Sequence, residues 1–244
     1  MSIRKRVGLL VPSTNTTCEA DFQMAVTAGV TVHGQRLWLT DETRSEDGMG
    51  RMNEDIESGA RYLATARVDI IAYACTTGSF YRGAGWDRKM IDLIERTAGV
   101  PAVVTSPAAV EALNSIGARK ISVASPYSDW GNRKLRSYLE AAGFSVLNVE
   151  AEPVAAVAGQ QGINDQEPEA VVEFATSVCR PEADALFCSC TAWRAMEAAE
   201  ALEKTTGKPV VTSNQATIWS AFCALRIRQP VLGFGKLLEN LAAD

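Results

Sequence analysis

The sequence lacks the residues and patterns that mark several common classes of protein. Its 244 residues include one histidine, His33, and six cysteines without a C-x-x-C pair, so no ordinary zinc site is expected. No basic run is longer than Arg4–Arg6, which excludes an extended nucleic-acid surface. No apolar segment approaches the ~20 residues of a membrane span, and no secretory cleavage pattern is present. These absences predict a cytoplasmic protein with no metal, membrane or nucleic-acid partner.

What the sequence does contain is a regular alternation of short apolar runs and amphipathic segments. Apolar residues make up 47% of the chain and charged residues 22%, as in ordinary globular proteins. Strands are predicted over 7–12, 30–39, 69–75, 100–105, 120–125, 144–149, 184–190 and 208–213. Helices are predicted over 52–66, 86–98, 132–142, 169–179, 193–206 and 216–225. Nearly unbroken apolar strands that alternate with helices predict an α/β fold with doubly wound parallel sheets.

Helix start signals support the same interpretation. Thr16 and Glu19 have capping-box spacing, Ser106 precedes a proline at the first helical position, and Ser128 precedes Asp129. These residues are predicted to begin three of the helices.

Three motifs occur twice in the same order. VGLLVP at 7–12 corresponds to ISVASP at 121–126, AYACTTGS around Cys75 to LFCSCTAW around Cys190, and VVTS occurs at 103–106 and 210–213. Three repeats at similar offsets indicate two homologous halves. We therefore predict two similar lobes related by a pseudo-twofold axis, residues 1–115 and 116–225. The tail 226–244 is expected to pack on the first lobe, and the active site is expected between the lobes.

Small polar residues follow several of the predicted strands. Ligands of open α/β sheets bind beyond the carboxyl ends of the strands, where hydroxyl, amide and backbone N–H donors can hold an anion. The candidate ligand-binding residues at these ends include Ser13, Thr76, Thr77 and Thr191.

Two cysteines are the strongest candidates for chemistry. Cys75 and Cys190 follow corresponding strands of the two halves, so the repeat predicts that their thiols face each other across the cleft. A helix N-terminus next to each thiol is expected to lower its pKa. One sulfur could then attack or remove a proton while the other gives a proton. The alternative is a binding protein that clamps a small acid and in which both thiols merely pack.

The motifs VPSTNTT at 11–17, ACTTGSF at 74–80, ASPYSD at 124–129 and CSCTAWR at 188–194 resemble the maleate cis–trans isomerase branch of the Asp/Glu racemase superfamily. The resemblance implies two α/β domains, no cofactor, a small dicarboxylate substrate and a homodimer. It further implies that Asn15 and Tyr127 bind a substrate carboxylate, that Cys75 is the nucleophile and that Cys190 is the proton donor. A further asparagine of the family matches Asn164.

The resemblance leaves the reaction open between related chemistries. SFYRG at 79–83 is equally similar to arylmalonate decarboxylase, a sister family that keeps only the second cysteine. Asp/Glu-type and hydantoin-type racemases also use two facing thiols. The presence of Cys75 makes decarboxylation, which needs a single proton donor, the poorer fit, and conversion of maleate to fumarate is the preferred prediction. The segment 151–168, with its Gly and Pro residues, is predicted either as a mobile lid or as a plain surface connection.

Overall fold

Strands and helices alternate along the whole described chain. The computed structural model describes residues 4–40 and 45–241. Its strands are β1 (Lys5–Pro12), β2 (Val30–Leu37), β3 (Ile70–Tyr73), β4 (Ala102–Val104), β5 (Lys120–Ser125), β6 (Ser145–Ala151), β7 (Ala185–Cys188) and β8 (Val210–Thr212). Its helices are α1 (Cys18–Ala25), α2 (Glu46–Glu54), α3 (Ile56–Thr65), α4 (Thr76–Phe80), α5 (Trp86–Ala98), α6 (Thr105–Ser115), α7 (Asp129–Ala141), α8 (Val154–Asp165), α9 (Pro168–Val178), α10 (Ala195–Thr206), α11 (Ser213–Ala224) and α12 (Lys236–Glu239).

The strands form two parallel sheets with the same internal order. The first sheet runs β2-β1-β3-β4 and the second runs β6-β5-β7-β8. Every ladder within these sheets is parallel. The predicted α/β class is therefore confirmed, and the repeated strand order agrees with the repeated motifs. The boundary between the halves near residue 115 stays a prediction.

The central strands are apolar because helices cover both faces of each sheet. Val7, Leu9, Leu10 and Val11 of β1 are completely buried. One continuous apolar core contains side chains from both sheets and from the contact between α6 and α11. This shared core brings the carboxyl ends of β1, β3, β5 and β7 to the junction of the two halves.

Two predicted helix starts are wrong. Helix α1 has no side-chain cap from Thr17 and no Thr16 capping box; instead, Asn15 Oδ1 accepts hydrogen bonds from the backbone N–H groups of Thr17 and Cys18 at 3.0 and 2.9 Å. Helix α6 begins directly after β4, so Ser106 lies inside its first turn rather than at the N-cap. Ser128 does occupy the N-cap position of α7.

The helix predicted over 52–66 is two helices. Asp55 ends α2 and begins α3, and its backbone N–H bonds to Met52 O and Asn53 O instead of continuing the α-helical pattern. The Asp55 carboxylate also accepts the backbone N–H of Trp38 at 3.0 Å. The helix prediction relied on the periodicity of apolar residues, which gives no information on this bond between distant segments.

The predicted lid segment is mostly helical. Helix α8 covers most of it and is kinked at Gly159, whose φ of 61° and ψ of −153° are not helical. Helix α12 of the tail packs on α11 and β8 of the second half, and Gln215 of α11 donates to Phe234 O. The sequence prediction placed the tail on the first half. No helix in the described ranges is long and apolar enough to cross a membrane.

Candidate active site

A cavity of about 70 Å³ lies between the carboxyl ends of the two sheets. Side chains of both halves form its wall. Among the residues predicted for the site, the wall contains Asn15, Cys75, Thr76, Thr77, Tyr127, Cys190 and Thr191.

Cys75 lies two residues beyond the end of β3 and caps helix α4. Its Sγ accepts a hydrogen bond from the Gly78 backbone N–H at 3.4 Å, and the residue is 6% exposed. Burial raises the pKa of Cys75 to about 12, although the Gly78 N–H acts in the opposite direction. The predicted lowering is therefore wrong in direction, because desolvation outweighs the hydrogen bond at the start of this short helix. Cys75 therefore carries its proton at physiological pH.

Cys190 occupies the equivalent position, two residues beyond the end of β7. Its Sγ accepts the backbone N–H of Ala192 at 3.4 Å, and the residue is 8% exposed. Negative charge on Cys190 would raise the pKa of Cys75 further, so the two sulfurs are electrostatically coupled. The structure thus brings the two predicted thiols to one cavity. By contrast, Cys188 is completely buried within β7 and is absent from the wall.

Three hydroxyl-bearing residues surround the cysteines. Thr76 Oγ1 donates to Ser213 Oγ at 2.9 Å, which links α4 to α11 across the two halves. The Tyr127 hydroxyl accepts from Ser189 Oγ at 3.4 Å. Burial, followed by the neighbouring Cys190, raises the pKa of Tyr127, so this phenol is a neutral hydrogen-bond donor at physiological pH. Thr77 completes this polar side of the wall.

Two predicted site residues lie outside the wall. Ser13 Oγ donates to Leu39 O at 2.9 Å and accepts the Leu39 N–H at 3.0 Å, so it fixes the segment after β2. The Asn164 side chain donates to Thr14 O at 2.8 Å and accepts from the Thr16 N–H at 3.3 Å. Asn164 therefore fastens α8 to the loop after β1, next to the cavity.

Sequence reasoning missed the apolar side of the wall, which contains Leu39, Met49, Trp130 and Ile163, and the amide of Gln160. These residues come from α2, α7, α8 and the segment after β2, which pack over the strand ends. No motif marks them, since the repeat analysis concerned strand ends alone.

The cavity wall carries no formal charge. None of the described residues that line it is an Asp, Glu, Lys or Arg. An anion would be held by neutral amide, hydroxyl and backbone N–H donors, as the composition of the strand ends predicts. The described ranges also contain no group of three His, Cys, Asp or Glu side chains that could hold a metal ion.

The SFYRG motif lies mostly away from this cavity. Tyr81 is buried with its ring edge-on to Trp86, and the Arg82 guanidinium stacks over both rings at 5.3 and 4.7 Å. Tyr81 and Arg82 line a separate surface hollow with residues of α2. Their similarity to the decarboxylase motif therefore does not extend to the cysteine cavity.

Comparison with known proteins identifies the relatives of this chain. Residues 7–238 match the family model described as arylmalonate decarboxylase. Maleate isomerase of Nocardia farcinica is 30% identical over 100% of this chain and 98% of that protein. Arylmalonate decarboxylase of Bordetella bronchiseptica is 27% identical over 72% of each chain.

Among solved structures, a cysteine-to-serine mutant of the N. farcinica maleate cis–trans isomerase, with a covalently bound succinylcysteine intermediate, is 26% identical. It superposes with a TM-score of 0.88 and covers 96% of this chain and 98% of that chain. The relatives of the chain include maleate isomerases, and the match over residues 7–238 shows that it belongs to the arylmalonate decarboxylase family.

Proposed function

We propose that this protein is a cofactor-independent isomerase that converts maleate to fumarate. The observation that carries the proposal is the placement of Cys75 and Cys190, from matching strand ends, on the wall of one small uncharged cavity. The succinylcysteine found in a maleate isomerase relative supports covalent chemistry at a cysteine.

The size of the cavity supports a small substrate. One water molecule needs a cavity of roughly 10–15 Å³. A cavity of about 70 Å³ therefore suits a four-carbon diacid better than an aryl malonate. Drug-sized ligands occupy pockets of roughly 300–1,000 Å³. The apolar wall can contact the alkene carbons, while Asn15, Tyr127 and the threonines face the carboxylates.

The first step uses the proton that Cys75 carries at rest. This proton passes to a carboxylate oxygen of maleate, and the Cys75 Sγ electron pair forms a C–S bond to one alkene carbon. The π electrons move toward the newly protonated carboxyl group and form an enediolate, which the neutral donors of the wall stabilise. Protonation of the substrate makes the alkene a better acceptor and keeps the net charge of the cavity unchanged.

The second step makes rotation possible. The Cys190 thiol protonates the adjacent carbon, which leaves a succinyl thioether on Cys75 and a thiolate at Cys190. The central bond is now single and turns by half a revolution. The Cys190 thiolate then removes a proton from that carbon, the C–S bond breaks and releases fumarate, and the carboxyl proton returns to Cys75. Both thiols are regenerated, so no external acid, base or cofactor is consumed.

Other residues of the site bind the substrate or hold the cavity in shape. We propose that Asn15, Thr76, Thr77, Tyr127 and Thr191 hold the carboxylates. Asn164 and Ser13 fix the segments that surround the cavity.

We also propose a homodimer in the cytoplasm. The dimer rests on the family resemblance, and the six free cysteines support a reducing compartment. Light scattering coupled to gel filtration tests the dimer.

The test is a spectroscopic assay with maleate, aryl malonates, aspartate and glutamate on the same preparation. We expect conversion of maleate to fumarate and no release of CO₂ from aryl malonates. Cys75→Ser and Cys190→Ser should each lower the rate by more than ~10²-fold, which is the scale of general acid–base effects. Cys179→Ser, which changes a cysteine at the end of α9, is the matched control and should keep wild-type turnover.

Mass spectrometry identifies the covalent step. Cys190→Ser incubated with maleate should gain the mass of one maleic acid on the peptide that contains Cys75. Near wild-type turnover by Cys75→Ser would contradict covalent catalysis. Turnover of aryl malonates or of amino acids, with maleate unchanged, would assign the protein to decarboxylation or racemisation instead.

A further inference from the structure

A buried phenol that is not part of the cavity wall lies close to the Cys75 thiol. Tyr73 is the last residue of β3 and is completely buried. A Cβ atom added at Gly78 would overlap the Tyr73 hydroxyl and lie 3.2 Å from Cys75 Sγ. Because Gly78 has no side chain, the phenol oxygen and the sulfur can both lie next to this position.

The phenol is held by a buried amide. The Tyr73 hydroxyl donates to Asn53 Oδ1 at 2.6 Å, and Asn53 Nδ2 donates to Gly78 O at 3.1 Å. Trp86 Nε1 donates to the same carbonyl at 3.1 Å. The network connects α2, β3 and α4, so it fixes the phenol and the loop that carries Cys75 relative to each other. The oxygen lone pairs of Tyr73 remain available to a nearby donor.

We propose that Tyr73 is a positioning residue for the reactive sulfur of Cys75: its hydroxyl accepts a hydrogen bond from the thiol at rest and donates a hydrogen bond to the sulfur when the thiol proton has left. The switch needs only rotation of the phenol O–H from Asn53 toward Sγ. The inference relies on the proposed function only for the identity of the electrophile, because the contact concerns Cys75 itself.

The surroundings make this hydrogen bond important. Among the described residues, the side chains whose charge is coupled to that of Cys75 are acids and not cations: Cys18, Tyr73, Tyr127 and Cys190. Burial raises the pKa of Cys75, and the donors that act against it are the Gly78 N–H, the Tyr73 hydroxyl and the Thr77 N–H. Tyr73 is thus the one side chain in this set that can stabilise the thiolate.

The phenol is a donor and not a base. Burial, followed by the negative charge that Cys75 can carry, raises the pKa of Tyr73 well above its ordinary value. Tyr73 therefore keeps its proton throughout the reaction. Its O–H bond can point either to Asn53 Oδ1 or to Cys75 Sγ, but the phenol does not remove the proton of the thiol.

The test measures the sulfur directly and needs no turnover. The rate of alkylation of Cys75 by iodoacetamide is followed from pH 7 to pH 10 by peptide mass spectrometry, in wild type and in Tyr73→Phe. A hydrogen bond to a charged group stabilises it by about 1.5–3 kcal/mol, so its loss should lower the rate at each pH by about tenfold or more. If maleate turnover fails but this shift is present, only the proposed substrate is wrong.

Tyr81→Phe is the matched control. Tyr81 is as deeply buried as Tyr73, and its hydroxyl has no hydrogen-bond partner among the described residues. We expect its alkylation profile to match wild type. Asn53→Ala removes the amide that holds the phenol but keeps the hydroxyl itself, so the alkylation rate of Cys75 should fall less than in Tyr73→Phe. An unchanged profile in Tyr73→Phe, or an equal loss of rate in Asn53→Ala, would overturn the proposal.

Discussion

The side-chain amide of Asn15 donates a hydrogen bond of 3.1 Å to the hydroxyl of Thr191, which joins the loop after β1 to the loop that carries Cys190. Thr191 Oγ1 in turn donates to Ala74 O at 3.1 Å, beside Cys75. These two bonds connect the two cysteine loops through one hydroxyl. Because Oδ1 of Asn15 already caps α1, only the second hydrogen of its Nδ2 group remains for a ligand.

Asn15→Asp should separate substrate binding from structure. The carboxylate keeps the acceptor that caps α1 but loses the donor, and its negative charge repels a dianion. We expect kcat/KM for maleate to fall by about 10²-fold or more, the scale of removing one preorganised donor. Steady-state kinetics measure the loss, and circular dichroism at rising temperature checks that the fold is kept. A variant with unchanged kcat/KM would show that Asn15 does not contact substrate.

Asp21 makes stability depend on pH. It is completely buried, and its Oδ2 accepts from Asn214 Nδ2 at 2.7 Å. The other side-chain oxygens of Asp21 and Asn214 have no hydrogen-bond partner among the described residues. Burial raises the pKa of Asp21 to about 8, against the Asn214 hydrogen bond; Glu197 raises it further and Arg194 lowers it. A protonated Asp21 can donate to the free oxygen of Asn214.

The sign of this effect follows from proton binding. The folded state holds the Asp21 proton up to about pH 8, whereas the unfolded state loses it near pH 3.8. Below about pH 3.8 Asp21 makes its full contribution to the free energy of unfolding. Between that pH and the folded pKa, the contribution declines by about 1.4 kcal/mol per pH unit. Asp21→Asn mimics the protonated acid, so its stability relative to wild type should increase from pH 5 to pH 8. Urea unfolding measures this difference, with Asp47→Asn at an exposed position as control. Parallel stability curves for Asp21→Asn and wild type would contradict the assignment.

Gly78→Ala should be poorly tolerated. The added methyl group would overlap the Tyr73 hydroxyl and lie 3.0 Å from Met52 Cε, inside a filled core. We expect a loss of about 1–3 kcal/mol of stability, as for other overpacked sites. Gly50→Ala in α2 is the matched control, since its nearest neighbour is 3.8 Å away and alanine favours the helix by about 0.5–1 kcal/mol. Equal stability of the two variants would mean that the space beside Tyr73 is not filled.

Gly159→Ala should change binding through the kink in α8. The φ of 61° and ψ of −153° at Gly159 belong to a region that is essentially restricted to glycine, so alanine costs about 1–3 kcal/mol there. Gln160 and Ile163, which follow the kink, line the cavity. We expect KM to rise more than kcat falls. Gly117→Ala, at another positive φ of 74° with nothing nearby, should lose stability but keep KM. The same KM in both variants would argue against a role of the kink in binding.

The sequence predicted those parts of the fold that depend on local pattern. Buried parallel strands are continuous apolar runs, so the sequence predicted each of the eight strands found in the described residues. The repeated motifs indicated two similar sheets. The small polar residues that follow the strands predicted that Cys75, Cys190 and most of the polar wall belong to the site. These features follow from the chain itself, because the end of a parallel strand determines where its next residues lie.

The remaining features depend on contacts between distant segments. Asp55 divides a helix because it bonds to Trp38, and Asn15 replaces Thr16 as the cap of α1 because of its place after β1. The direction of the Cys75 pKa shift depends on how completely the folded chain buries the thiol, which periodicity does not report. The helical nature of 154–165 was also missed, since its Gly and Pro residues resemble those of a loop. Whether this segment moves as a lid stays a prediction, which hydrogen exchange with and without maleate tests.

The protonated resting state of Cys75 also bears on chemical durability. Peroxides and electrophiles react with thiolates far faster than with thiols, so a sulfur with a pKa of about 12 is a poor target for both. Without substrate, reactivity is then confined to the small thiolate fraction, which increases as the pH rises. Such an enzyme should tolerate storage in air without added reductant, in contrast to proteins whose active cysteines are ionised at rest.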